Sequence, residues 1–222
     1  MNADDVGLLE GLATTRTIRR YTADPVPEHD LAEILWYATR APSGSNRQPV
    51  RFVVLRDGPN ALEARRLLGE SFRAGWAAKR EADGYDRGSG LADDSPKARM
   101  AATMQHYVDH FESIPVVLLV CLVRHRSAVY TEGASVYPAC QNLLLAARAM
   151  GYGGALTMWH LAVELELRDL LTIPDGVALS ACITLGRPAG RHGPVRRRPL
   201  ADVAFEDAWM SVPDWATKFS KR

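Results

Sequence analysis

Pro42-Ser43-Gly44-Ser45-Asn46-Arg47-Gln48-Pro49 joins two unlike patterns. Before it, Leu31, Ile34, Leu35 and Ala38 recur at helical spacing; after it, Phe52-Val53-Val54-Leu55 reads as a strand. Prolines at both ends exclude continuous helix, and Gly44 permits a positive φ that other residues resist. Ser43, Ser45, Asn46 and Gln48 set short donors and acceptors in the bend, suited to a polyhydroxylated or heterocyclic ligand. The same residue types build ordinary turns. On its own the segment fits a plain helix-to-strand connection as well as a ligand loop.

Working outward, the N-terminal side offers a short helix over residues 4–13, with Leu8, Leu9 and Leu12 on one side. Thr14-Thr15-Arg16-Thr17-Ile18-Arg19-Arg20-Tyr21 follows; if extended, it puts Arg16 and Ile18 on one face and Thr17 and Arg19 on the other. Asp24-Pro25-Val26-Pro27 breaks the chain before a helix from about Glu28 to Arg40. On the C-terminal side, Val50 to Leu55 forms a strand that ends at Asp57-Gly58-Pro59. Residues 60–82 and 97–112 read as two polar-faced helices. Their joint, Asp83 to Pro96, has the most loop-like composition in the chain and predicts a mobile excursion or lid. Ile114 to Leu122 is a continuous apolar strand, placed centrally with both faces covered. Gly133 to Met150 is a helix apolar nearly all round, as in a core or a subunit interface. Gly151 ends it, and Gly153-Gly154-Ala155-Leu156-Thr157 opens a short apolar segment. A helix at Val163–Leu171 and a buried strand at Ala178–Leu185 complete a mixed α and β pattern in one domain.

The 222 residues are 47% hydrophobic and 24% charged, with a formal net charge of +1. Such a chain buries a substantial core and has no global attraction to nucleic acid or to an anionic membrane. Cys121, Cys140 and Cys182 are an odd, widely spaced set, which argues against a disulfide framework or a zinc site and for a reducing, cytoplasmic setting. The acidic first residues, Met-Asn-Ala-Asp-Asp, lack a signal-peptide core. Ile114 to Val123 falls well short of the ~20 residues a membrane span needs.

Several motifs carry less than they promise. Gly151-Tyr152-Gly153-Gly154 follows a helix and opens a strand, the reverse of a dinucleotide-binding glycine turn; helix capping explains Gly151, and the other glycines suggest a backbone closely approached by something. His106 and His110 share a helix face but lack a third ligand, so no metal is expected. His160 reads as a packed or hydrogen-bonded histidine before it reads as a base. Asp93-Asp94 and Glu164/Glu166 read as solvated charge, and no nucleophile elbow is present. Arg196-Arg197-Arg198 is by default a solvated basic run, yet with Arg16 and Arg19 it could clamp one phosphate.

Taken in order, Thr15–Tyr21, Ala41–Pro49 feeding Phe52–Val54, Gly151–Gly154 after an apolar helix, and Leu185-Gly186-Arg187-Pro188 with the Arg196–Leu200 tail resemble the flavin-dependent nitroreductase family along essentially the whole chain. The resemblance implies an α+β fold with a central mixed β-sheet flanked by helices, in an intertwined homodimer with a C-terminal arm. It implies one domain over 1–222, with a helical excursion at 60–112 and the arm at 201–222. It also implies FMN held without a covalent link at the subunit interface, NAD(P)H as electron donor, and ping-pong reduction of nitroaromatics, quinones or activated alkenes. Arg16, Thr17 and Arg19 are expected at the phosphate and the N1/C2 side of the flavin, Gly153 and Gly154 near its N5/O4 edge, and Arg196 and Arg198 on the phosphate. Pro42, Ser43, Gly44, Asn46 and Gln48 are expected to reach it from the other subunit. Thr15 stands where many members carry Arg. No acid–base residue is required: hydride arriving at N5 leaves charge that Arg19 stabilises. Reductive dehalogenation, flavin fragmentation and dehydrogenation of a peptide-derived ring use the same fold, and a non-catalytic flavin-binding regulator is the reading from another class. Phe72, Trp76, Tyr85, Tyr107 and Phe111 are the available gate aromatics of the excursion. In the arm, Phe205, Trp209, Trp215 and Phe219 need another surface to cover them.

Overall fold

The computed structural model describes residues 6–92 and 94–219. The first residues of the expected N-terminal helix (4 and 5), Asp93 and the last three residues of the expected arm lie outside them. Helix α1 (Leu8–Thr14) leads through an extended segment to α2 (Glu28–Ala38), which presents Leu31, Ile34 and Ala38 inward. Strand β1 (Val50–Leu55) follows the proline-bounded loop. Two helices come next, α3 (Pro59–Ala82) and α4 (Pro96–Asp109), each with proline in its first turn, where the missing N–H costs no intrahelical bond. Ser95 caps α4 by accepting from Ala98 N at 3.0 Å. Strand β2 (Val116–Val123), helix α5 (Tyr137–Ala149), strand β3 (Gly153–Thr157), helix α6 (Glu164–Leu170), strand β4 (Val177–Gly186) and a short helix α7 (Asp214–Thr217) complete the chain.

The four strands form one sheet in the order β1-β2-β4-β3. Every ladder is antiparallel, with Val53 opposite Leu119, Leu118 opposite Ile183 and Leu156 opposite Ile183. The α+β arrangement is the expected one, but the sheet among the described residues is not mixed. Continuous apolar runs such as Val116–Leu122 report that both faces are covered; they carry no information on strand direction.

Because successive residues of a strand point to opposite faces, β2 feeds two cores. Val117, Leu119 and Cys121 join Leu68, Phe72, Trp76, Tyr107, Val108 and Phe111 of the α3–α4 layer. Leu118, Val120 and Leu122 join Ile34, Ala38, Leu143 and Ala147 of the α2–α5 layer. Helices α3 and α4 are therefore a wall of the core. Phe72, Trp76, Tyr107 and Phe111 are buried in it and are not gate residues, while Tyr85 packs edge-on to Trp76 at 5.1 Å. The buried Arg65 of α3 has no carboxylate partner among the described residues; it donates to the carbonyls of Leu55, Glu112 and Ile114 and so ties β1 to the entry of β2. Helix α5 buries one face only. Its other side, with α1 and α2, lines an apolar groove of Leu8, Gly11, Tyr37, Leu145, Ala149 and Met150.

Candidate functional site

At one corner of the sheet the Thr15–Thr22 segment lies extended beside β3. Ile18 N donates to the Gly154 carbonyl at 2.9 Å, and Thr22 N donates to that of Arg187 at 2.9 Å. The buried Ile18 anchors the segment, leaving Arg16 and Thr17 exposed and Arg19 half-buried. A second anchor is a hydroxyl relay. Tyr21 Oη donates to the Ile18 carbonyl at 2.6 Å, and both Tyr21 Oη and Tyr107 Oη lie 2.9 Å from the buried Thr184 Oγ1. Burial raises both phenols well above the ordinary tyrosine value, so they act as neutral hydrogen-bonding groups.

Gly153 and Gly154 are buried in β3. A Cβ on Gly153 would meet Ile18 and His192, and one on Gly154 would meet Leu144 and the Thr184 carbonyl. The close approach expected at these glycines is thus made by the chain itself. His192, which nothing in the sequence singled out, places Nε2 3.1 Å from the Tyr152 carbonyl, to which it donates. Val195 N then reaches the Ala13 carbonyl at 3.4 Å, which returns the exposed Arg196–Arg198 run to the corner that holds Arg16. Thr15 has its hydroxyl oxygen enclosed, with no hydrogen-bond partner among the described residues.

The proline-bounded loop is elsewhere. Val123 N donates to the Pro49 carbonyl at 2.9 Å, Gly44 N to Ser135 Oγ at 3.3 Å, and Gln48 N to Ser43 Oγ at 2.9 Å. These bonds hold Pro42, Ser43, Gly44, Asn46 and Gln48 against the far end of β2. Left-handed backbone occurs at Ser45 (φ 53°), Asn46 (φ 51°) and Gln48 (φ 50°), and not at Gly44. The expectation for Gly44 is corrected: it opens a 3-10 turn, and the strain falls on three side-chain-bearing residues. A cavity of about 260 Å³ adjoins the loop, lined in part by Ser45, Arg47, Arg124 and Glu132. Glu132 engages Arg124 there at 2.6 Å.

The two groups of expected site residues thus occupy opposite corners. Thr184, beside Tyr21, pairs with Val117, whereas Pro49 pairs with Val123. Six residues of strand separate them along β2, roughly 20 Å, and the loop enters at the β1 edge while the arginine segment lies at the β3 edge. One chain does not bring them together.

Other candidates resolve simply. His160 is buried, its Nε2 donates to the Leu179 carbonyl at 3.1 Å, and burial lowers its pKa. His106 and His110 stack at 4.2 Å with no third ligand, and the described residues hold no metal-binding cluster of His, Cys, Asp and Glu. The three cysteines are free and buried, Cys121 raised to about 11 by burial and Cys140 to about 12. No helix among the described residues is long and apolar enough to cross a membrane.

The sequence pattern of the Nitroreductase family matches residues 12–187. An NADH dehydrogenase of Thermus thermophilus is 30% identical over 206 residues, covering 86% of this chain and 91% of its own. A 4-nitrobenzoate reductase of a Nocardioides species is 28% identical over 200 residues, covering 80% of this chain and 78% of its own. Among solved structures, a nitroreductase-like protein of Desulfovibrio desulfuricans in complex with FMN is 26% identical; it superposes with a TM-score of 0.63 over 94% of this chain and 99% of that one.

Proposed function

The chain belongs to the nitroreductase family, and from that premise we propose that it is an FMN-dependent oxidoreductase, oxidising NAD(P)H and reducing nitroaromatics, quinones or activated alkenes in ping-pong order. The residues at the β3 corner fit the cofactor chemically. Arg16, Arg196 and Arg198 are exposed guanidiniums drawn to one corner, suited to a terminal phosphate through charge-assisted bonds. Thr17 adds an exposed hydroxyl, and Gly153 and Gly154 let the same segment pack directly on the β3 backbone. FMN, when bound, supplies a ring that takes a hydride at N5 and leaves negative charge over its N1/C2 edge. Arg19 is the half-buried cation that would stabilise that charge, in surroundings that screen it less than bulk water does. Excluding water from the reduced site falls to whatever covers this corner.

One observation carries the reading further: the loop that supplies Pro42, Ser43, Gly44, Asn46 and Gln48 stands at the opposite corner of its own sheet. A site that needs both sets takes the loop from a second copy, so the working unit is a homodimer with two shared sites. The exposed aromatics after Leu200, Trp209 at 85% and Trp215 at 53%, are what an arm over a second copy would cover. The visible spectrum of the purified protein, before and after anaerobic NADPH, tests the proposal. A flavin absorbance near that of FMN that bleaches on addition supports it; a colourless protein that takes up no added FMN refutes it.

A further inference from the structure

Beside Arg19 lies a cleft of about 200 Å³, lined in part by Arg19, Tyr21, His106, Tyr107, His110 and Ser113. The relay of Tyr21 and Tyr107 through Thr184 pins its two walls, because Arg19 is two residues from one tyrosine and His106 adjoins the other. Across the cleft the His106 and His110 rings are stacked, 4.2 Å apart and inclined by 29°. His110 Nδ1 is 2.9 Å from the His106 carbonyl, an acceptor, so it carries the hydrogen and leaves Nε2 as the basic nitrogen. Among the described residues no group hydrogen-bonds the His106 ring.

We propose that the His106–His110 pair is a proton-linked charge compensator: it takes one proton from solvent as hydride reaches the flavin held beside Arg19. This rests on the flavin reading above. Two stacked imidazoles share one proton readily and resist a second, since like charges at this distance repel. The charged and titratable groups facing the pair are Arg19 and Arg20 from the extended segment, Asp109 from α4 itself, and the neutral phenols of Tyr21 and Tyr107. Asp109 is engaged by the Gln105 amide at 2.9 Å. Burial first, then His110 and Arg20, hold His106 below the ordinary histidine value, which disfavours its imidazolium until a compensating negative charge arrives. Hydride from NAD(P)H carries two electrons and one proton, releases NAD(P)⁺ and adds one negative charge at the Arg19 corner. That charge favours the imidazolium, and the pair gains the compensating proton. Arg19 is a permanent charge; the histidines supply the one that varies with pH.

The test is the reduction potential of the FMN-loaded protein against pH, for the native chain and for His106→Gln/His110→Gln. A two-electron couple moves about 29.6 mV for each tenfold change in equilibrium. The native protein should fall by about 60 mV per pH unit near neutrality, two protons for two electrons, and the variant by about 30 mV. Proton NMR of the native histidines, oxidised and reduced, reads the same uptake without any substitution: the imidazole pKa should rise on reduction. Equal slopes with unmoved histidine resonances overturn this inference and leave the flavin assignment standing. A chain that binds no FMN overturns both.

Discussion

Arg196 and Arg198 belong to a run whose composition reads as ordinary solvated charge, and the backbone shows where that run lies. The Val195–Ala13 bond and the His192–Tyr152 bond carry the run to the corner of Arg16. A charge-assisted bond contributes about 1.5–3 kcal/mol, so Arg196→Ala and Arg198→Ala should each weaken FMN binding by roughly 10- to 150-fold. Riboflavin, which lacks the phosphate, should bind both variants as it binds the native chain; equal losses for the two flavins in a titration would place the effect in folding instead. His160 makes a prediction of a different kind. Its folded pKa lies below the ordinary 6.5 because it is buried, so the unfolded chain binds more protons as the pH falls through that value. Stability should therefore be full above pH 6.5 and decline below it toward the folded pKa. Urea unfolding over pH 5–8 should show the decline in the native chain and a shallower one in His160→Asn.

The loop at Pro42–Pro49 was legible as an element joining a helix to a strand. Its backbone was not. Gly44 drew attention because glycine tolerates positive φ, yet the bonds from Gly44 N to Ser135 and Gln48 N to Ser43 set the path, and the left-handed turns fall at Ser45, Asn46 and Gln48. The bond to Ser135, 91 residues away, leaves no trace in local composition. Strain of this type costs roughly 1 kcal/mol per residue and collects where function over-determines the chain. Ser45 separates strain from contact, because it is left-handed without being among the expected cofactor residues. Ser45→Gly should raise stability by about 1 kcal/mol in chemical denaturation and leave FMN affinity unchanged; a drop in affinity would show that the loop needs its stiffness. The same limit explains the excursion. The period of apolar residues located α3 and α4 to within a few residues, but the aromatics that would gate a lid are the ones that fasten a wall. Composition alone does not separate these roles, since both need large apolar side chains.

At the scale of the whole molecule the motifs were readable one by one, while their separation was not. Nothing in the order of Arg16, Asn46, Gly153 and Arg198 along the chain says that Asn46 enters at the β1 edge and the others gather at the β3 edge; that follows from strand order, which the sequence leaves open. On the proposed shared site, assembly and cofactor binding become one equilibrium. If each site takes Pro42–Gln48 from a second copy, FMN binds the pair of chains and not the single one, and it must stabilise the pair by mass action. Dilution should then release subunits and flavin over the same concentration range, and added FMN should shift that range downward. The arm provides an independent handle. Trp209, Trp215 and Phe219 are exposed on the single chain, Phe205 is half-buried with its ring 5.1 Å from that of Trp209, and neither core draws on residues after Leu200, so removing the arm leaves both cores intact. The truncated chain should keep its helical content by circular dichroism, yet dissociate and lose FMN at higher protein concentration than the full chain. Light scattering that found a monomer with full FMN occupancy would refute the shared site, because one chain holds its two halves at opposite corners of the sheet.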